Sequence, residues 1–517
     1  MKIFKYKVVI LWVTLGIFFS CDEKINPLPE SFVSPESFYS NNAELQSALN
    51  GVYDGMQKAY NNANFTFGEF RSDNVQPSPS SANISRTSLH NSSFDPAEGF
   101  LNWSNFYRTI DRANRLIISS ENVDGADPNI VGQAYAIRSK LYFDLIRIWN
   151  NVPLLLEPVR RSEDAFKPVT SFNEIMNSVV IPDMLMAEEL LTDVSSNFTF
   201  SQASILAHQA EVYMWQKQES IAESKLEELI RLNTHSLVTT PEAWQNLFFN
   251  QPPTNLFPNA TGKIQTGPEL IFSILYEDAD LDDRSGLWEA YVTGANITSI
   301  SEELENKWIE RFPIDETWNN LYPNTPPVFT AEVLDVNGQT VTEPLYGDWR
   351  HFASRERGDF IIGVGPAVIG EARVHKWTKD RTSLVPQNDR SDIPMFRYAD
   401  MVLLLAEAKI KLNKAGEALD LINQVRTARQ LPQVAVADFG NSLDEQIDYL
   451  LDERQFELLG EAKRWWDLRR NNKVIEVLNP ILERRGGAPI TEQRLFFPIF
   501  QNHIIEALGN YEQNPGW

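Results

Sequence analysis

Apolar residues recur at helical spacing along much of this 517-residue chain, most regularly between residues 395 and 470. Met401, Leu404, Leu405, Ala408 and Leu412 follow the i, i+3, i+4, i+7 pattern of an amphipathic helix, and Ala418, Leu421, Ile422, Val425 and Ala428 repeat it. Residues 413–416 form a break short enough to make the two helices antiparallel neighbours. Alanines 399, 406, 408, 415 and 418 permit close approach, as in a tetratricopeptide-type pair. A third helix carries Ile447, Leu450, Leu451 and Leu458 ahead of the run Arg464-Trp465-Trp466-Asp467-Leu468-Arg469-Arg470.

The same spacing appears earlier. Leu45, Leu49, Val52 and Met56 mark one helix, Ile110, Ala113 and Ile117 a second, and Leu141, Leu145, Ile148 and Trp149 a third. Ala203, Leu206, Ala207, Ala210 and Met214, followed by Ala222, Leu226, Leu229 and Ile230, predict another small-residue pair. The fold expected is mainly α: a short right-handed helical solenoid of about four pairs, carried by residues 34–235 and 395–470. Residues 60–100, rich in Asn, Ser, Pro and Gly, predict a long loop, and loops of that length are often functional. Residues 240–394 break the helical pattern and predict a loop-rich insertion with small strands. No low-complexity linker interrupts residues 34–517, which read as a single domain.

The first 20 residues read as a targeting segment. Lys2, Lys5 and Lys7 precede an apolar run at residues 8–19, too short to span a bilayer. Cys21 follows it and is the only cysteine in the chain, which fits cleavage before Cys21 and lipidation of that residue. Residues 21–33 then act as a tether. The hydrophobic content of 43% describes a globular protein. The net charge of −24 argues against a nucleic-acid partner, since phosphate backbones would be repelled.

Catalysis has little support. His90, His208, His235, His351, His375 and His503 show no metal-ligand spacing, and the chain has no Gly-rich phosphate loop or nucleophile elbow, so neither a catalytic centre nor a cofactor is expected. Glu453, Glu457 and Glu461 share one helix face with Arg464 close behind, which reads as a structural ion network rather than an acid–base pair. Asp278, Asp280, Asp282 and Glu289 fall at positions 1, 3, 5 and 12 of an EF-hand-like loop, but Asp283 replaces the turn glycine, and a solvated acidic turn is the reading adopted.

Phe396-Arg397-Tyr398-Ala399-Asp400, Leu405-Ala406-Glu407-Ala408, Glu453-Arg454, Gly460-Glu461, Arg464-Trp465-Trp466-Asp467-Leu468-Arg469 and the closing Asn514-Pro515-Gly516-Trp517 together resemble the SusD/RagB family of outer-membrane nutrient-binding lipoproteins. The resemblance implies a lipid-anchored protein on the outer face of an outer membrane. It also implies a SusC-like TonB-dependent transporter as partner and an oligosaccharide or other oligomeric nutrient as cargo.

Sugars are held by flat aromatic rings flanked by amide and guanidinium groups. Trp288, Tyr291, Trp308, Trp318, Asn319, Asn320 and Tyr322 in the insertion supply such groups, as do Arg71, Asp73 and Asn74 in the early loop. The resemblance implies that these two regions form one ligand-binding face. Asp348 and Arg350 match a family Asp-x-Arg and read as structural. A secreted carbohydrate-active hydrolase and a helical-repeat scaffold for protein partners remain as alternatives.

Overall fold

Helix starts are fixed by side chains that take over N–H groups the helix itself leaves unbonded. A computed structural model of the chain describes residues 39–78, 83–251, 262–277, 285–287, 298–323, 329–334, 337–355, 368–377 and 390–517. Asn41 accepts from the Ala43 and Glu44 N–H groups to open α1 (Asn42–Tyr60), and α2 spans Ser104–Ser120. Asp127 caps α3 (Pro128–Trp149), whose leading proline has no N–H to lose. α4 (Ile181–Leu190), α5 (Gln202–Trp215) and α6 (Glu219–Arg231) follow, and α7 (Glu302–Arg311) lies within the insertion. α8 (Tyr398–Lys411) and α9 (Ala415–Ala428) resume the solenoid. A reciprocal Ser442–Glu445 capping box starts α10 (Leu443–Leu458), and α11 (Arg464–Arg470) completes the set.

Four antiparallel pairs result: α1 with α2, α3 with α4, α5 with α6, and α8 with α9, each also packed against the next along the chain. Two of the turns use one device, a left-handed residue: Lys217 (φ 59°) between α5 and α6, and Asn413 (φ 60°) between α8 and α9. The expected four pairs are present, and the insertion falls between the third and fourth. Its strands are short. β2 (Leu270–Ile274) pairs antiparallel with β4 (Ile393–Arg397), and β3 (Thr298–Ile300) pairs antiparallel with β1 (Val75–Pro77) of the early segment. β2–β4 closes the base of the insertion, since Arg397 leads directly into α8. β1–β3 ties the early segment to the insertion.

The described residues between 60 and 100 are more ordered than a long loop. They hold the short helices Ala63–Gly68 and Ile84–His90 as well as β1, and Phe65, Phe67, Phe70 and Phe94 are buried. Phe67 meets Trp149 and Phe497 edge-on at 5.1 and 4.9 Å, and Phe94 lies 4.8 Å from Trp517. Residues from both ends of the described chain therefore share one core. Gly68 is required there, because a Cβ would stand 2.2 Å from the Ala462 carbonyl oxygen.

The Glu453–Glu457–Glu461 face sits inside a buried ion lattice. Glu457 receives Arg350 (2.8 Å), Arg397 (2.8 Å) and Arg429 (2.8 Å). Glu453 pairs with Arg350 and Arg426, Glu461 with Arg397 and Lys376, and Glu269 with Arg397 and Arg429. Asp348 completes it on Arg350, so five carboxylates face five cations. Such a cluster is tolerated away from water only when every charge is matched and hydrogen-bonded. The structural reading of these glutamates and of Asp348 and Arg350 agrees with this geometry. Arg464 is the exception, because it turns away from Glu461 and pairs with Asp73.

Candidate ligand-binding site

α7 carries Trp308 inward with Leu304 and Glu305, an i, i+4 relation that makes it a core residue. Its indole N–H donates to Asp348 Oδ2 at 2.9 Å, and His351 and Phe456 stack on it at 4.6 and 5.1 Å. Trp318 is likewise fully buried, beside Phe312 and Tyr322. Arg71 is 2% exposed. Its guanidinium faces Trp465, Phe497, Phe94 and Trp517 at 4.8 to 5.9 Å and donates to Ser92 Oγ. Asp73 binds Arg464 and Gln455, and Asn74 joins Glu69 to Gln455.

The ligand-facing role expected of Trp308, Trp318, Arg71, Asp73 and Asn74 gives way to packing: they have almost no surface to offer. Asn319 and Asn320 are exposed, and Tyr322 is half-buried with its hydroxyl donating to the Arg311 carbonyl at 2.9 Å. Asn319 Nδ2 donates to Tyr346 Oη at 3.3 Å. Trp288, Tyr291, Cys21 and the acidic turn Asp278, Asp280, Asp282 and Glu289 lie outside the described residues.

Two open clefts flank the start of α2 and share Ser104 and Arg108 in their walls. The first, about 540 Å³, is polar, with Asn61, Asn62, Asn83, Asn102 and Asn105 around Phe100. Several of these amides are already oriented: Asn105 Nδ2 donates to the Lys58 carbonyl at 3.1 Å, and Asn102 Oδ1 accepts from the Ser104 N–H at 2.8 Å. Gly286 backs Asn61, donating its N–H to the Asn61 carbonyl at 3.0 Å, and a Cβ there would come within 2.2 Å of that oxygen.

The second cleft, about 570 Å³, is walled by Trp103, Tyr107, Phe166 and Tyr511, with Glu506 at its edge. His503 lies parallel to the Trp103 ring at 5.0 Å and accepts from the Trp103 backbone N–H at Nε2. The Tyr511 hydroxyl, on a side chain only 5% exposed, meets no partner among the described residues. Burial raises it to about 12, so it stays protonated and able to donate. Trp103 and Tyr511 are 4% and 5% exposed and back the cleft, so the ring surface it offers comes from half-buried Tyr107 and Phe166, which with the amides across α2 suits polyhydroxylated rings. Sequence reasoning missed this site because its parts come from several separate segments. The one signal available was the density of asparagine between residues 61 and 105.

A curated relative, SusD-like protein P38 from Formosa agariphila, is 36% identical over 510 residues, covering 96% of each chain. The chain belongs to the SusD family. Residues 370–517 match the model described as SusD family, and residues 31–214 the one described as starch-binding associating with outer membrane. The fold recurs in a SusD superfamily protein from Bacteroides vulgatus, with a TM-score of 0.68 at 17% identity over 93% of this chain and all of that one. It recurs in a laminarin binding SusD-like protein, with a TM-score of 0.63 at 21% identity over 93% of this chain and all of the other. Among the described residues of this SusD-family chain, no helix is long and apolar enough to cross a membrane.

Proposed function

We propose that this protein captures oligosaccharide at the cell surface and passes it to a SusC-like TonB-dependent transporter in the outer membrane. The observation that carries the reading is the pair of neighbouring clefts that share Ser104 and Arg108, amide-rich on one side of α2 and aromatic on the other. Tyr107 and Phe166 take the C–H surface of a sugar ring while amides and Arg108 take its hydroxyls. Family membership and the laminarin-binding neighbour support a carbohydrate ligand. Capture and release need no covalent step. Lipidated Cys21 would anchor the body to the membrane through residues 21–33, and Asn319, Asn320 and Tyr322 would extend the contact surface.

Affinity electrophoresis of the soluble protein lacking the signal and Cys21, through gels containing single polysaccharides, tests this. Retardation by a polysaccharide, lost in Asn61→Ala/Asn102→Ala, supports the cleft. Loss in Asn319→Ala/Asn320→Ala instead moves the site to the insertion. Co-purification of a large outer-membrane barrel with the lipidated protein tests the partner.

A further inference from the structure

The polar cleft has a charge opposite to that of the chain around it. The net charge is −24, yet among the described residues Lys58, Arg86 and Arg108 line this cleft and no carboxylate does. Two acids touch its lining residues: Asp54 pairs with Lys58 at 2.8 Å and with Arg112, and Glu98 accepts from Ser85 Oγ at 2.5 Å. Arg86 lies over the Phe70 ring at 3.9 Å. Arg108 is exposed, and its only hydrogen bond among the described residues is to Asn105 Oδ1 at 3.4 Å. The positive end of α2, 17 residues long, opens into the same space. Asn102 takes the Ser104 N–H, while the N–H groups of Asn105 and Phe106 meet no acceptor among the described residues.

Lysine and arginine only donate hydrogen bonds, so this wall offers donors in excess of acceptors. Beyond about 8 Å at physiological salt the acidic surface is largely screened, and close to the cleft Lys58, Arg86, Arg108 and Arg112 outnumber Asp54 and Glu98 among the described residues. We infer that the cleft binds the oxyanion of an acidic glycan, carried as a uronate carboxylate or a sulfate ester. This rests on the glycan-capture reading and narrows it to a charged ligand class. A surface of like charge would repel such a polymer elsewhere, so retention reports this local site.

The test uses the same soluble protein in gels containing alginate (uronate), carrageenan (sulfate ester) or neutral laminarin, at low and at raised salt. Retention by one of the polyanions is expected, weakening with salt and falling about tenfold or more in Lys58→Gln/Arg108→Gln, as for loss of charge-assisted hydrogen bonds. Which polyanion retards the protein identifies the source of the oxyanion. Tightest retention by laminarin, insensitive to salt and to the substitutions, overturns the charged class and leaves glycan capture standing. Polyanion binding undiminished in the variant overturns the assignment to this cleft. Retardation by none of the three overturns both readings. Lys58 and Arg108 are solvent-exposed, so an unchanged melting temperature in the variant separates lost binding from lost fold.

Discussion

Arg464 grips Asp73 through two parallel hydrogen bonds, Nε to Oδ1 at 2.7 Å and Nη2 to Oδ2 at 2.8 Å, between residues 391 positions apart in the chain. Both side chains are buried. The pair fastens the segment after α1 to the start of α11.

Removing one partner strands the other charge away from water. Asp73→Asn should destabilise the protein by about 3–5 kcal/mol, read as a lower urea midpoint. Asp73→Leu combined with Arg464→Met removes both charges and should recover part of that loss. A double variant as unstable as the two single losses added together would refute the coupling.

Glu457 is the centre of the ion lattice, with three arginines on its carboxylate. Glu457→Gln leaves five cations facing four carboxylates. The expected cost is again about 3–5 kcal/mol, with thermal unfolding as the readout.

Acid should unfold this protein from a definite pH downward. Burial alone would raise the Glu211 carboxyl, but Lys463 and Lys140 outweigh it and set it at about 2. Burial is outweighed in the same way at Glu457 by Arg429, Arg397 and Arg350, at Glu461 by Arg397 and Lys376, at Asp400 by Lys463 and Arg454, and at Glu407 by Arg470, and all four lie below their ordinary values. Groups depressed by folding contribute stability above their unfolded values, near 4.5 for glutamate, and lose it as pH falls through the folded ones. Glu69 works in the opposite direction. Burial pushes it up to about 7, so its share is full below 4.5 and fades as pH rises to 7. Urea midpoints measured from pH 7 to 3 should therefore peak near pH 5 and drop steeply below 4.5.

Trp318 and Asn320 are neighbours on one short helix with different work to do. Trp318→Ala removes a fully buried indole and should cost about 3–5 kcal/mol of stability. Asn320→Ala, at an exposed position, should stay within about 0.5 kcal/mol. Circular-dichroism melts of the two variants side by side check this, and a ligand-binding role at Asn320 would appear only in retention assays.

The helix pairs were readable because long amphipathic windows repeat at 3.6 residues, and burial of Leu45, Leu49, Val52 and Met56 follows that pattern directly. The ion lattice was half-readable: the spacing of Glu453, Glu457 and Glu461 is local, whereas Arg397 and Arg429 arrive from other elements. Arg71, Asp73 and Asn74 looked like ligand-reading groups because they are polar residues in a predicted loop that the resemblance assigns to the ligand-binding face. Nothing in spacing reveals partners such as Arg464 and Gln455. Trp308 looked like a platform, although its interval of four from Leu304 was the sign of a buried helical face. The two clefts are assembled by tertiary packing around the start of α2, and no window of sequence contains them.

The shared core of Phe67, Phe94, Phe497 and Trp517 has a kinetic consequence. A chain synthesised from its N-terminus exposes Phe67 and Phe94 long before Phe497 emerges. Contacts of such sequence separation form late and fold slowly. Phe67 and Phe94, on the segment between α1 and α2, wait for these partners, and the interval before the last aromatic arrives is when aggregation would act.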